Sequence, residues 1–463
     1  MKSDPLHGII ESTSKANLKE VDEMERIRIN GAGSELQGVG RLADGRAIFV
    51  PGALPGEDVE VEIAREAKRF CEGRLLRVLV ASPERVQVEC PHVGRCGGCV
   101  ARHMRYAYSL ELKRQRVADA LTRIGGVEEP LVLETIGCAS PDRTRNKAEY
   151  AVEARDGEVR VGCFEGRSRR VLPVRDCLLQ RPESVRALNW LADHLGAHAF
   201  APHIRDLVTR VSRASEMTVV LSGDAPLGDE VGKLAADMAR DLPELISLHY
   251  CRLKPRPAHA LDGSCARVLG TRTMDDQLLG LTFELSPQAF FQVNPEQAET
   301  LYLKALEAAG IGEGARVLDA YCGAGTITLA AAARGARAVG VEIIAPAIEN
   351  AKRNAARNGL ADRARFLCGD AAREIPRMIA TGERFDAAII DPPRKGADAA
   401  LLGALADAAI PRIAYVSCDP GTLARDVKLL IGRGSHLEWA QPVDMFPWTG
   451  HVETVVLMSR VEK

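Results

Sequence analysis

Aromatic side chains are scarce in this chain. Ten Phe, seven Tyr and three Trp make up 4% of 463 residues, so extended base-stacking platforms are not expected. No apolar run approaches the length that spans a bilayer, and no membrane partner is expected. The N-terminus has no apolar signal core, and a cytoplasmic protein is the default. Neither sign of charge dominates: 61 Lys and Arg face 63 Asp and Glu, a net charge of −2. Global charge therefore does not announce a polyanionic partner. There is no internal repeat and no low-complexity tract.

What is present is length, with 46% hydrophobic and 27% charged residues, enough for about three ordinary domains. Residues 1–23 are polar and read as a flexible tail. Residues 24–85 read as a small β-barrel. Ile27 and Ile29 alternate with polar residues, as do Val59, Val61 and Ile63, then Leu76, Val78 and Val80. Residues 86–269 form a central region with a cysteine-rich segment, a basic helix near Tyr108–Ile124 and a helix near Ser184–Leu195. Pattern alone assigns no fold to 136–265. The Tyr108–Ile124 helix is expected to pack on the domain that follows.

Residues 270–463 read as a doubly wound α/β domain. Apolar runs at Val317–Ala320, Ala338–Val341, Ala387–Ile390 and Ile413–Val416 alternate with helical stretches. Such sheets bind ligands outside the carboxyl ends of their strands. Asp319-Ala320-Tyr321-Cys322-Gly323-Ala324-Gly325-Thr326 sits where the first strand meets a helix. Its two glycines permit a tight turn and close approach to a ligand. The third glycine of the dinucleotide fingerprint is replaced by Thr328. Glu342 ends the next strand, where a carboxylate accepts bonds from ribose hydroxyls. A nucleoside without pyrophosphate fits S-adenosylmethionine (SAM). Asp370 is placed either to contact adenine or to cap the helix beginning at Ala371.

Three further residues suggest chemistry. Asp391-Pro392-Pro393-Arg394 ends one strand, its prolines fixing the carboxylate. Ser417-Cys418-Asp419-Pro420 ends the next and offers a nucleophile, although an isolated cysteine is more often packing. Glu453 opens the last strand and is the candidate base, against the plainer reading of an exposed strand-end carboxylate. A thiolate and a base suit uracil C5, which becomes nucleophilic only after a thiolate adds at C6.

Together, Phe291-Gln292-Val293-Asn294, the Asp319 motif, Asp391-Pro392-Pro393-Arg394, Ser417-Cys418-Asp419-Pro420 and His451-Val452-Glu453-Thr454 resemble the RNA uracil-5 methyltransferases that carry an N-terminal TRAM domain. The resemblance runs from about 24 to 460. It implies a Rossmann-like SAM-dependent methyltransferase domain behind an OB-like TRAM barrel. It implies SAM contacts at Gln292, Tyr321, Glu342 and Asp391, with Cys418 as nucleophile and Glu453 as base. Thr326 and Asp370 are further cofactor candidates, at positions where some members carry Asn.

Cys90, Cys96 and Cys99 form C-x5-C-x2-C, a thiolate spacing suited to an iron–sulfur cluster or zinc. Cys71, Cys138, Cys163 and Cys177 are available as a fourth ligand. The resemblance selects Cys177 and implies a [4Fe–4S] cluster in the central domain. The other cysteines, Cys251, Cys265, Cys322 and Cys368 among them, read as buried small hydrophobes. Basic residues cluster at Arg102–Arg123, at Arg143, Arg145 and Lys147, and at Arg167, Arg169 and Arg170, and can neutralise phosphates. The expected partner is RNA, 23S ribosomal RNA first and tRNA second, with the protein a monomer. An inactive RNA-binding factor is the alternative of another class. A DNA cytosine-C5 enzyme would want Pro, not Ser417, before the cysteine.

Overall fold

The computed structural model of the chain describes residues 24–155, 158–166 and 168–460. The tail assigned to 1–23, and Arg167 of the third basic cluster, lie outside the described residues. Two compact units form, one holding residues up to 94 with 99–112 and 448–450, the other holding 95–98, 113–447 and the residues from 451.

The first unit is built on a closed five-stranded barrel. Around it run Met24–Ala32, Gly38–Arg41, Ala47–Val50, Phe70–Val80 and Asp58–Glu66. Alternation turns Ile27, Ile29, Ile48, Val50, Val59 and Val61 inward. At Gly40 a Cβ would collide with the Ile27 side chain and the Arg28 carbonyl, so only glycine lets these strands close. Leu76 and Val80 depart from the expected alternation and are 39% and 52% exposed. The pairing of this strand slips between Val61↔Leu75 and Asp58↔Val80, and each irregularity turns the next side chain to the other face. Leu75 and Val78 take the inward positions instead. Buried Glu57 ties the barrel to the chain beyond it. Its carboxylate accepts from Arg85 at 2.5 and 2.7 Å and from the Leu54 and Ser82 backbone. Burial alone would push this carboxyl up; the guanidinium and backbone bonds outweigh it and hold the group low.

The second unit holds two large sheets. The central one runs Gly263–Gly270, Leu245–Leu253, Met217–Gly223, Ile204–Val211, Lys147–Arg155, Glu158–Phe164 and Val171–Pro173. One face buries Tyr150, Leu207, Val219 and Leu221 against Leu188, Leu191, Leu234 and Met238 of the helices Pro182–His194 and Glu230–Asp241.

The other sheet is the doubly wound one that the sequence indicates. Its order is Ala364–Cys368, Arg337–Glu342, Arg316–Ala320, Ala387–Ile390, Arg412–Ser417, Glu453–Arg460 and Ser435–Val443. The first five are parallel, and Glu453–Arg460 inserts antiparallel beside Arg412–Ser417. Both faces are covered, which is why these strands read as continuous apolar runs. Val317 packs on one side with Leu301 and Phe366, and Leu318 on the other with Leu401 and Leu423. Val117 and Leu121, from the far end of the helix Tyr106–Arg123, join that second side. Burying a side chain of this size stabilises by about 1.5–3 kcal/mol. No helix among the described residues is long and apolar enough to cross a membrane.

Several basic residues turn out to be structural. Lys113 is fully buried and bonds Asp444 at 2.5 Å and the Phe446 carbonyl. Arg143 grips Asp176 and the carbonyls of Cys177 and Gln180. Cys251 and Cys322 are buried as expected, but Cys265 is only half-buried on the edge strand Gly263–Gly270, and Cys368 is exposed because it ends its strand at the open edge of the sheet.

Candidate active site

The carboxyl ends of the parallel strands carry the residues that the motifs single out. At the first strand the chain reverses through left-handed backbone at Tyr321 (φ 67°), Gly323 (φ 54°) and Gly325 (φ 86°). Gly325 has to be small as well, because a Cβ would press on Phe366 and Ala351. A Cβ on Gly323 would meet nothing within 4 Å, so the turn lies open on that side. Tyr321 adopts a conformation that costs a non-glycine residue of order 1 kcal/mol or more. Burial raises its phenol, and the nearby Asp370, Asp398 and Asp426 charges add to the effect, while the Asp398 backbone bond opposes it.

The turn is held from below. Thr328, where the third glycine would stand, donates to Asp319 Oδ2 at 2.5 Å. Asp319 Oδ1 is buried without a partner, and burial pushes this carboxyl up to about 7. Glu342 accepts from the Gly323 N–H at 3.3 Å and from the Ile344 N–H at 2.9 Å, so its position is fixed by backbone on both sides. Asp370 is exposed and caps the helix Ala371–Ala380, accepting from the Ala372 N–H at 3.0 Å.

Gln292 precedes the helix Pro295–Ala309, whose start is capped by Asn294. Its side chain and that of Thr326 both hydrogen-bond the phenol of Tyr302, a fully enclosed residue on that helix. Tyr302 thus couples two cofactor candidates, and the motifs did not single it out. Its spacing with Leu301 and Ala305 gives it the signature of ordinary core. Phe290, two residues before Gln292, is 78% exposed and also escaped notice.

The second group gathers Asp391, Arg394, Cys418 and Glu453. Ser417 pairs with Thr454 across antiparallel strands, so the next position along places Cys418 opposite Glu453. Asp419 fixes the turn beyond Cys418 by capping the helix Pro420–Gly432 through the Thr422 N–H at 2.8 Å. Glu453 is only 5% exposed, not the exposed strand-end carboxylate of the plainer reading. Burial pushes it up to about 8, with Asp391 adding and Arg394 opposing. Burial also lifts Asp391 to about 7. The Cys418 thiol rises to about 11, from burial first, then the Glu453 and Asp391 charges, against Arg394. Four interacting groups at adjoining strand ends, three of them strongly shifted, have the character of an acid–base site.

The cysteine group is divided. Cys90 and Cys99 belong to the first unit, Cys96 and Cys177 to the second. Within the second, the Cys96 thiol accepts the Gly98 N–H at 3.4 Å and hydrogen-bonds Cys163. The Cys177 thiol is raised by burial, while bonds from the Leu179 and Gln180 backbone lower it. Among the described residues, no group of three or more His, Cys, Asp or Glu is arranged to hold a metal ion.

With this geometry in hand, similarity to known proteins is informative. A family model described as tRNA (Uracil-5-)-methyltransferase matches residues 273–461, and a TRAM domain model matches residues 19–76. An uncharacterized RNA methyltransferase of Halalkalibacterium halodurans is 37% identical over 458 residues, covering 97% of this chain and 99% of the relative. A relative of the same description from Caldanaerobacter subterraneus is 36% identical over 457 residues, covering 96% and 100%. The crystal structure of Pyrococcus abyssi tRNA (uracil-54, C5)-methyltransferase, in complex with S-adenosyl-L-homocysteine, superposes with a TM-score of 0.75. It is 26% identical and covers 94% of this chain and 100% of its own.

Proposed function

Since the chain belongs to the RNA uracil-5 methyltransferases with a TRAM domain, we propose that it methylates C5 of a uridine in 23S ribosomal RNA, using Cys418 as nucleophile and Glu453 as base. The observation that carries this reading is the facing of Cys418 and Glu453 at the ends of paired strands, with Asp391 beside them.

The residues fit SAM by their chemistry. Glu342 is a carboxylate already held by two backbone N–H groups, with oxygens placed to accept from ribose hydroxyls. Asp319 keeps an unpartnered buried oxygen, and Asp391 is a carboxylate pushed up by burial, both ready for a positively charged ligand. Gln292, Tyr321 and Thr326 complete the cradle, and Asp370 lies at its exposed rim. When bound, SAM supplies an electrophilic methyl group and a positive charge beside these acids.

The residues then divide the work on the uracil ring. Cys418 loses its proton to solvent and the resulting thiolate sulfur bonds to C6, sending an electron pair into the ring to form an enolate. C5 of that enolate takes the methyl group. Glu453 removes the proton left on C5, the C6–S bond breaks, and Cys418 leaves as thiolate. A thiol at about 11 is neutral at rest, so addition requires the substrate-bound site to favour the anion. Arg394 is the neighbouring charge that pulls it down. The base to reach must leave any stack, and exposed Phe290 offers an aromatic face close in sequence to Gln292.

A [4Fe–4S] cluster on Cys90, Cys96, Cys99 and Cys177 is part of the proposal. It rests on the C-x5-C-x2-C spacing and on the family resemblance. The residues' arrangement gives no metal centre by itself, and no step of the methyl transfer is derived through one. About four irons per anaerobically purified chain would support the cluster, and zinc in their place would refute it.

The substrate is tested by mapping 5-methyluridine in ribosomal and transfer RNA from cells with and without this protein. A mark lost from 23S RNA is expected. A mark lost only from tRNA would favour the second reading, which the likeness to the tRNA (uracil-54, C5) enzyme motivates.

A further inference from the structure

The face of the central sheet opposite its two helices carries a row of polar side chains. Strand register sets Lys147 beside Arg210, Arg210 beside Thr218, and Thr218 beside Ser247. Their chain neighbours Ala148, Val211, Met217, Val219 and Leu248 turn the other way into the apolar core. Over this row lies a shallow, open groove, walled by Arg272, Thr273 and Met274 on one side and Leu285, Ser286 and Pro287 on the other. Lys147, Arg210 and Thr218 line its floor, and Arg272, Thr273 and Ser286 its rim.

Arg210 is the unusual member. It is 5% exposed, and its Nη2 donates to the Ala289 carbonyl at 2.7 Å. Its Nη1 is buried with no partner. A buried guanidinium N–H without an acceptor is costly unless something supplies one. Two acids face this group, Asp276 and Glu149. Asp276 Oδ1 accepts from the backbone N–H groups of Arg213 and Gln277 while its Oδ2 is buried without a hydrogen-bond partner, and Glu149 accepts from Lys147 at 2.6 Å. Three cations against two acids leave the groove net positive. Guanidinium, ammonium and hydroxyl donors together match the oxygens of a phosphate group.

The groove also has a connection to the reaction site. Asn146, next to Lys147, donates its backbone N–H to the Val293 carbonyl at 2.8 Å, and Val293 adjoins Gln292. The Asn146 side chain is fully buried with both polar atoms unpartnered.

We infer that this groove is a phosphate-binding site for the RNA backbone, with Arg210, Lys147 and Arg272 holding a phosphodiester of the strand whose uridine is modified. The inference rests on the methyltransferase reading and adds to it a place where the substrate is gripped apart from the target base. Phosphate contacts position a nucleic acid without reading its sequence.

The test uses the full-length protein, Arg272→Ala and Lys147→Gln variants, and a fluorescein-labelled single-stranded uridine-containing RNA followed by anisotropy over a salt series. Each variant should weaken binding about three- to ten-fold and lower the slope of log affinity against log salt by about one. SAM affinity and melting temperature should stay at wild-type values, since Arg272 is exposed and Lys147 half-buried. Wild-type affinity and salt slope in both variants would overturn the inference while leaving the methyltransferase reading intact. Failure of the wild-type protein to bind both RNA and SAM would instead overturn that reading, and the inference with it. Inorganic phosphate that raises the melting temperature of the wild type alone, with RNA binding equal in all three proteins, would reassign the groove to a free anion.

Discussion

The two halves of the catalytic sheet's open edge treat their carboxylates differently. On the side of Arg316–Ala320 and Arg337–Glu342, Glu342 is anchored by two backbone N–H groups, and Asp370 caps a helix. On the side of Ala387–Ile390 and Glu453–Arg460, half-buried Asp391 and enclosed Glu453 are pushed up to about 7 and 8. Of the first half, Glu342 and Asp370 are arranged before any ligand arrives, while Asp319 beneath the turn is itself pushed up to about 7 by burial. The second half holds groups whose protonation is unsettled until charge is brought to them. A binding region gains from fixed acceptors, whereas proton transfer needs pKa values near the working pH.

The largest break in this contrast is Cys418→Ala. Turnover should fall at least about ten-thousand-fold, as it does when a covalent nucleophile is removed. Methyl transfer from radiolabelled SAM to RNA measures it, and substantial activity would end the covalent route.

Glu453→Gln should cost about a hundred- to ten-thousand-fold in turnover while letting an RNA–protein adduct accumulate. In the wild type, kcat/KM should rise with pH through about 8, as Glu453 becomes the free base. Because the Glu453 charge holds the thiol up, the variant should also shift Cys418 alkylation by iodoacetamide to lower pH. An unshifted alkylation profile would separate the two groups.

Asp391→Asn tests the second half through stability. The folded carboxyl, at about 7 against an ordinary 3.8, holds its proton more tightly than the unfolded one. Stability is therefore lost as pH rises between about 4 and 7, and Asn removes that loss. The variant should be more stable at pH 8 by about 2 kcal/mol and should bind SAM more weakly. Thermal unfolding at pH 5 and pH 8 reads the first effect, and calorimetry the second. The smallest change is Tyr302→Phe, which strips the phenol from Gln292 and Thr326. A loss of about 1 kcal/mol in stability and a several-fold weaker SAM complex are expected.

Legibility in the sequence follows the same division. Asp391, Cys418 and Glu453 stand out because each terminates or opens an apolar strand, and the β–α alternation places those termini on one edge. The four central parallel strands at Val317–Ala320, Ala338–Val341, Ala387–Ile390 and Ile413–Val416 could be located from their runs for the same reason, whereas Ser435–Val443 and the helix Pro295–Ala309 were not. Tyr302 could not be read, because a polar contact inside a buried helix leaves the same spacing as packing. The fold of 136–265 was illegible because the pairing that joins its local hairpins into one sheet is distant. Ile204–Val211 pairs with Lys147–Arg155, more than fifty residues earlier, and no local pattern encodes that partner. Strand irregularities hid as well, as Leu76 and Val80 show.

The most direct test of the account is to incubate the wild-type protein with SAM and 5-fluorouridine RNA, digest the product, and sequence the cross-linked peptide by mass spectrometry. Fluorine at C5 leaves no proton for Glu453 to remove, so the chain should stay bonded to a methylated nucleotide. The account predicts that the bond is to the sulfur of Cys418. No cross-link, or one on any other residue, would contradict it.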